Sequence, residues 1–449
     1  MALIASDKHS YVVGLGETGL SCARFLAKLG RPFSMLDTRD APPNLDRFKS
    51  EFPETKLVLG ELEASTLVLA DEIILSPGLD PKHPALVQAA QAGVKIRGDI
   101  DLFAEHANAP IAAITGSNGK STVTVLLGDM AKEAGRNVRV GGNLGTPALD
   151  LIDENADLYV MELSSFQLEL VEKLNADVAC LLNISEDHMD RYASKLDYLQ
   201  AKQRIFRGAK TVVVNDDEPL SQPLRAQDMK IVHYGMNGLD LNKFSYSDER
   251  LGATLMKGFE ALVDVADLNM SGTHNFSNAL AALAMGTSLG LPLDAMIRAL
   301  KAFKGLDHRC EWVRQLDGVT YINDSKGTNG GACAAAIAGF GSQLEGDGKV
   351  VLIAGGEAKG ALLTELKEPL ARFGRSVIAF GADRDIVRAA VEGSLPVIHA
   401  DSLHQAVTLA KEEAAAGDLV LFSPACASFD MFRNFEHRGD AFKAEVAKL

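Results

Sequence analysis

The chain has 449 residues, 47% of them hydrophobic, enough to fill the cores of about three domains. A net charge of −15, from 45 basic and 60 acidic side chains, argues against general affinity for nucleic acid or anionic membranes, so anionic ligands must be held by local sites. Five scattered cysteines without a CxxC pair, a start unlike a secretory leader, and no apolar stretch near the ~20 residues of a bilayer span point to the reduced cytoplasm. Strand-like runs at residues 11–13, 33–36, 72–75, 111–115, 158–163, 178–184 and 211–214 alternate with helix-like ones, which argues an α/β fold with parallel sheets. Residues 244–270 read as short strands broken by Gly252 and Gly258, so an antiparallel edge is expected there. A fresh α/β set follows at 319–322, 350–353, 376–380 and 419–422. Boundaries near Gly98 and Gly305 divide the chain into 1–98, 99–305 and 306–449.

Gly14-Leu15-Gly16-Glu17-Thr18-Gly19 follows the first strand, and Asp37 stands 18 residues beyond Gly19, near where a dinucleotide fingerprint places an acid for ribose hydroxyls. A tight turn without a ligand would need the same glycines. The stronger signal is Gly116-Ser117-Asn118-Gly119-Lys120-Ser121, between an apolar strand-like run and the helix-like run 122–134. Backbone N–H groups and a helix N-terminus there suit phosphate, Lys120 suits β/γ oxygens and Ser121 suits Mg²⁺. It is a shortened pattern, since Ile114 stands where a full Walker motif has glycine. A dehydrogenase does not account for this second loop, so a nucleotide-bearing substrate is expected at the first, with Asp37-Thr38-Arg39 and Ser76-Pro77-Gly78 at the strand ends. Glu162 ends a strand where such enzymes keep a Mg²⁺ acid. The polar cluster 183–191 includes His188, a loop histidine or a ligand. Lys202 reads locally as an ordinary surface lysine. Asn275 and Asn278, spaced i, i+3, would share a helix face and reach a base or phosphate, or simply cap the helix. His308-Arg309, the segment 324–329 and the segment 355–360 add cationic groups for a second anionic substrate.

Together these residues resemble the Mur ligase family along nearly the whole chain. The likeness rests on GSNGKST at Gly116, GGNLG at Gly141, ELSSFQL at Glu162, EDHMDRY at Glu186, GTHNFSN at Gly272, DSKGTN at Asp324 and SPACASFDMF at Ser423. The phosphate loop and HNxxN element are shared with folylpolyglutamate synthetases, whereas DSKGTN and SPACASFD point to the D-glutamate-adding branch. Cys310, where a bulkier apolar residue is common, and Glu357-Ala358 are small departures. The resemblance implies a Rossmann-like N-terminal domain, a P-loop central ATPase domain with a mixed sheet and a Rossmann-like C-terminal domain. It implies an ATP-dependent ligase joining D-glutamate to UDP-N-acetylmuramoyl-L-alanine through an acyl phosphate, with ADP and phosphate released, in peptidoglycan synthesis. It further implies ATP contacts from Gly116 to Thr122 and at Asn275, Asn278, Arg309 and Asp324. Two Mg²⁺ would lie at Ser121, Glu162, His188 and a carbamylated Lys202. The UDP-sugar side would comprise Glu17, Thr18, Asp37, Thr38, Arg39, Ser76, Gly78, Asn143 and His188. The D-glutamate side would comprise Lys326, Thr328, Lys359, Ser428 and Phe435, with Lys120, Glu162, His188, Lys202 and Lys326 carrying the chemistry. A cytoplasmic monomer with only small-molecule partners is expected.

Overall fold

A computed structural model of the chain describes residues 8–224, 229–248, 252–270 and 272–449. The short apolar runs pair in parallel and are covered on both faces, which is why most strands read as continuous apolar stretches rather than as alternating ones. The first sheet holds β1 (Ser10–Val13), β2 (Phe33–Asp37), β3 (Leu57–Leu59), β4 (Glu72–Leu75) and β5 (Lys95–Arg97). Its order is β3-β2-β1-β4-β5, parallel throughout.

The second sheet holds β6 (Ile111–Thr115), β7 (Val138–Gly142), β8 (Leu158–Glu162), β9 (Val178–Leu181), β10 (Thr211–Asn215), β11 (Lys230–Gly235), β12 (Lys243–Ser247), β13 (Thr254–Lys257) and β14 (Glu260–Asp264). The order is β14-β13-β12-β11-β10-β9-β6-β8-β7. Pairing turns antiparallel at β12-β13-β14, in the stretch expected to form such an edge, of which residues 249–251 lie outside the described ones. β9 stops at Leu181, short of the apolar run's end at Ile184, because Asn183 turns aside to hydrogen-bond the loop after β6.

The third sheet holds β15 (Glu311–Leu316), β16 (Val319–Asn323), β17 (Val350–Gly355), β18 (Gly374–Phe380), β19 (Val397–His399) and β20 (Leu419–Phe422). Its order is β15-β16-β20-β17-β18-β19, with β15 antiparallel to β16 and the rest parallel.

A single apolar cluster runs from Leu20 and Phe25 in the helix Glu17–Lys28, through Phe103, to Tyr159 and Met161 of β8, so the first two sheets share a core. The helices Lys120–Glu133, Thr273–Ser288 and Leu293–Ala302 cover the other face of the second sheet. Strand order reverses around β1 and around β6, and such reversals open crevices at the carboxyl ends of parallel strands. The loops that begin at Gly14 and Gly116 occupy those positions. Among the described residues no helix is long and apolar enough to cross a membrane.

Candidate active site

The loop after β6 is held open by backbone conformation. Gly119 lies at φ +80°, and a Cβ there would stand 2.4 Å from Asn278 Oδ1, so both the left-handed backbone and the close approach require glycine. Asn118 N–H donates to Asn183 Oδ1 at 2.8 Å and Ser117 N–H donates to the Asn183 carbonyl at 3.0 Å, which ties the loop to the end of β9. Lys120 starts the next helix, and its Nζ donates to the carbonyls of Gly116 and Ser117, each at 2.8 Å. Lys202 donates to the same Gly116 carbonyl at 2.8 Å and to Thr115 Oγ1 at 3.3 Å, with its ammonium 4.7 Å from the centre of the Tyr198 ring. It is 1% exposed, which overturns its local reading as a surface lysine. The helix Lys195–Gln203 turns it inward against the loop. Burial lowers the pKa of both lysines, and for Lys202 the neighbouring Lys120 charge lowers it further.

Opposite the lysines lies a carboxylate. Glu162, at the end of β8, accepts from Ser121 Oγ at 2.6 Å and from Asn143 Nδ2 at 2.7 Å. Arg309 Nη2 donates to Ser121 Oγ at 2.6 Å, so the hydroxyl joins cation to anion. Burial opposes the charge on Glu162, but Lys120, Ser121 and Asn143 prevail and hold its pKa below the usual value. His188 sits in the left-handed region at φ +57°, with Nε2 3.7 Å from Asp187 Oδ2 and its ring 4.7 Å from that of Phe166. Its burial outweighs Asp187 and lowers its pKa, favouring the neutral imidazole.

Two cavities, each of about 440 Å³, meet at this cluster. The first is bounded by Asn118, Gly119 and Thr122, by Asn275 and Asn278 on one turn of helix, and by Arg309, Asp324 and Lys326. Asp324 is buried, accepting from Ser423 Oγ at 2.6 Å and Cys310 N–H at 3.2 Å, and burial pushes its pKa up to about 6. The second cavity has Lys120, Asn143, Glu162, His188 and Lys202 on one wall and Lys326, Thr328, Lys359, Ser428 and Phe435 on the other. Lys326 holds its ammonium 3.8 Å from the Phe435 ring centre, and burial together with Arg309 and Lys120 pushes its pKa down to about 8. Asn118, Gly119, Arg309 and Lys326 face both cavities.

The N-terminal set lies elsewhere. Asp37 accepts from Leu15 N–H at 2.6 Å and from Arg39 Nε and Nη2, each at 2.8 Å, so both of its oxygens are engaged within the fold. Burial opposes its charge, but Arg39 and the backbone donors win and lower its pKa. Glu17 is exposed and 3.2 Å from Arg47, while Ser76 Oγ donates to the Gly14 carbonyl at 2.8 Å. Thr18 and Thr38 are half-buried and Gly78 is exposed. Of the residues expected on the UDP-sugar side, Asn143 and His188 line the second cavity and the others gather at the carboxyl ends of β1, β2 and β4.

Several site residues were given no role of their own in the sequence reading, Phe166 and Asn329 standing there only within the ELSSFQL and DSKGTN motifs. Phe166, Tyr198 and Asn329 line the second cavity, and Arg438, buried at 1% exposure, donates to the Ser325, Cys426 and Ala427 carbonyls to hold the loop carrying Ser428. Asn329 carried a usable signal, being a cap residue before a helix-like run: its Oδ1 accepts from Ala332 N–H at 2.8 Å while its Nδ2 donates to Asp187 at 3.2 Å.

Three family models match the chain in order: Mur ligase MurD-like N-terminal domain at residues 8–98, Mur ligase middle domain at 114–286, and Mur ligase glutamate ligase domain at 308–426. The chain is 53% identical over 449 residues to a UDP-N-acetylmuramoylalanine--D-glutamate ligase of Pseudomonas aeruginosa, covering 100% of both chains. It is 50% identical to the protein of that name from Marinobacter nauticus, again over the whole of both. Among solved structures, a MurF ligase from Thermotoga maritima in complex with ADP aligns with TM-score 0.61 at 15% identity, covering 100% of this chain and 97% of that one. A pseudomurein peptide ligase type C from Methanothermus fervidus aligns with TM-score 0.59 at 20% identity, covering 98% and 100%. These two likenesses are of fold alone; the three domain models and the end-to-end relatives establish that the chain belongs to the Mur ligase family.

Proposed function

We propose that the chain is an ATP-dependent acid–amino-acid ligase that joins D-glutamate to UDP-N-acetylmuramoyl-L-alanine in peptidoglycan precursor synthesis. The observation that carries this reading is the 53% identity, end to end, with the Pseudomonas aeruginosa ligase of that name. Residues 1–98, of which 1–7 lie outside the described ones, make up a Rossmann-like domain for the UDP sugar, 99–305, of which 225–228, 249–251 and 271 lie outside the described ones, a P-loop ATPase domain, and 306–449 a Rossmann-like domain for D-glutamate and part of ATP. The three sheets, with the reversals of strand order around β1 and β6, support this division.

ATP occupies the first cavity, its nucleoside toward Asn275, Asn278 and Asp324 and its phosphates on the loop from Gly116 to Thr122. The L-alanyl carboxylate attacks the γ-phosphorus; an O–P bond forms, the bond to the ADP oxygen breaks, and Lys120 and Arg309 balance the shifting charge. The D-glutamate amine then attacks the acyl carbon and loses a proton as phosphate departs. Lys326, Thr328, Lys359 and Ser428 hold its carboxylates, with Phe435 against its chain. Ser121 and Glu162 offer the hydroxyl and carboxylate oxygens that Mg²⁺ prefers. A second ion would sit at neutral His188 and a carbamate on Lys202, and when bound the two ions neutralise charge on the transferring phosphoryl group. Among the described residues no three His, Cys, Asp or Glu cluster for a metal, which fits ions completed by substrate oxygens and water. Burial lowers the pKa of Lys202, which raises the share of free amine able to add to CO₂; with loss of one proton this places a carbamate anion beside Lys120. A cytoplasmic monomer without nucleic-acid or membrane partners completes the reading.

Phosphate release, measured over a panel of amino acids and acceptors, is expected only when UDP-N-acetylmuramoyl-L-alanine, D-glutamate and ATP are all present. With ¹⁸O in the acceptor's terminal carboxylate, one labelled oxygen appears in the phosphate. Release that depends on a folate acceptor, or unlabelled phosphate, refutes the substrate or the acyl phosphate respectively.

A further inference from the structure

Arg191 lies on the irregular segment after β9, three residues beyond His188, and the mechanism above makes no use of it. Its backbone N–H and that of Tyr192 both donate to the His188 carbonyl at 3.0 Å, closing the turn that holds His188 left-handed. Its side chain runs inward. Nη2 donates to Glu169 Oε2 at 2.7 Å and to the Leu79 carbonyl at 3.0 Å, and the guanidinium carbon lies 4.8 Å from the centre of the Phe166 ring. The two charged side chains are 13% and 15% exposed, so this pair is largely shielded from solvent. Phe166 lies in the short helix Ser165–Leu168 and Glu169 caps its end; a Ser164–Gln167 capping box fixes its start, and Phe166 is the ring against which His188 rests. Leu79 closes the turn after β4, its N–H donating to the Ser76 carbonyl at 3.1 Å, and Ser76 Oγ in turn holds the Gly14 carbonyl at the mouth of the first sheet.

We infer that Arg191 is a positioning residue that fixes the distance between the first-sheet crevice and the His188 wall of the second cavity, so that a ligand anchored by its nucleotide end in the first presents its reacting end in the second. A planar guanidinium suits this task, since one nitrogen can serve a carboxylate and a carbonyl while the face covers an aromatic ring; an ammonium keeps the charge but loses the planar stack. The inference rests on the proposed function in one respect, that the acceptor is a UDP-linked molecule spanning both regions.

The test compares two acceptors in the full-length enzyme: UDP-N-acetylmuramoyl-L-alanine and N-acetylmuramoyl-L-alanine without the nucleotide. Wild type should prefer the first. In Arg191→Lys the kcat/KM for the UDP-linked acceptor is expected to fall by roughly tenfold or more, mainly through KM, while that for the truncated acceptor and the KM for ATP stay within about twofold. Equal loss on both acceptors overturns the inference, because it would make Arg191 a local support for the His188 turn alone. Unchanged preference in Arg191→Lys overturns it as well. Where the single variant does not fold, Arg191→Met combined with Glu169→Met removes both charges together and leaves neither buried alone, and the same ratio is read. Absence of any turnover of the UDP-linked acceptor by wild type would instead refute the proposed function, a result separate from any effect of Arg191.

Discussion

The turn after β1 and the turn after β6 share glycines, a following helix and a place where strand order reverses, yet their polar groups are used in opposite ways. At the first, Asp37 is spent on Leu15 and Arg39, Ser76 on the Gly14 carbonyl, and Gly19 is small because a Cβ there would come within 1.8 Å of the Gly14 oxygen. At the second, the half-buried Lys120 and the buried Lys202 rest on backbone carbonyls, and a buried carboxylate is joined to an arginine through one serine hydroxyl. Carbonyl dipoles are weaker partners than carboxylates, so the Lys120 cation remains available to an incoming anion. Glycine spacing therefore reports the turn, and the surplus of charge around it reports the chemistry.

The comparison is tested most severely by Lys120→Ala. If the second turn holds charge in readiness for phosphoryl transfer, kcat should fall by roughly 10³-fold or more with circular dichroism unchanged. Activity within tenfold of wild type would place the two turns on the same footing. A smaller effect concerns pH. Lys326 is a cation below about pH 8 and loses its proton above, so kcat/KM for D-glutamate should decline by about tenfold per unit beyond that value. Arg in its place stays protonated, and Lys326→Arg should remove the decline whatever its absolute rate; a decline that persists would assign it to another group.

Gly119→Ala probes the loop's shape alone. The left-handed backbone costs roughly 1–2 kcal/mol for a residue with a Cβ, and the contact with Asn278 adds to it, so KM for ATP should rise by about tenfold or more while D-glutamate is little affected. Equal changes for both substrates would mean that the loop's shape reaches beyond the first cavity. The mildest outcome is expected at the first turn. Asp37→Asn should lower stability by about 1 kcal/mol and raise KM for the UDP-linked acceptor, leaving kcat nearly intact. Because the folded pKa of Asp37 is depressed, its contribution is present above the unfolded value near 4 and is lost as pH falls through the folded one. Denaturation midpoints of wild type and variant should thus converge in acid, and a constant gap would show that the loss is one of packing.

Strands such as Ile111–Thr115 and Val350–Gly355 were readable because burial on both faces demands an unbroken apolar run. Lys95–Arg97 and Val138–Gly142 were not, since they are outermost strands, one short and charged, the other ending in two glycines. The same divide runs through the site. Gly116 to Ser121 announces itself because one local turn does the work. Lys202 does not: its partner Thr115 is 87 residues away, and nothing in the spacing of its own helix tells that its side chain points inward. Arg191 was hidden for a similar reason, its carbonyl partner lying 112 residues earlier in the chain.

Arg309 and Lys326 form a wall common to both cavities. Two ligands that share a wall are thermodynamically linked: whatever factor the first occupant applies to the affinity of the second, the second must return to the first. An occupant of the first cavity that orders the Arg309 guanidinium spares a later occupant of the second that loss of freedom, so the two binding constants cannot be measured as independent quantities. With ATP and D-glutamate in the two cavities as proposed, the apparent affinity for the amino acid would be a property of the nucleotide state in which it is titrated.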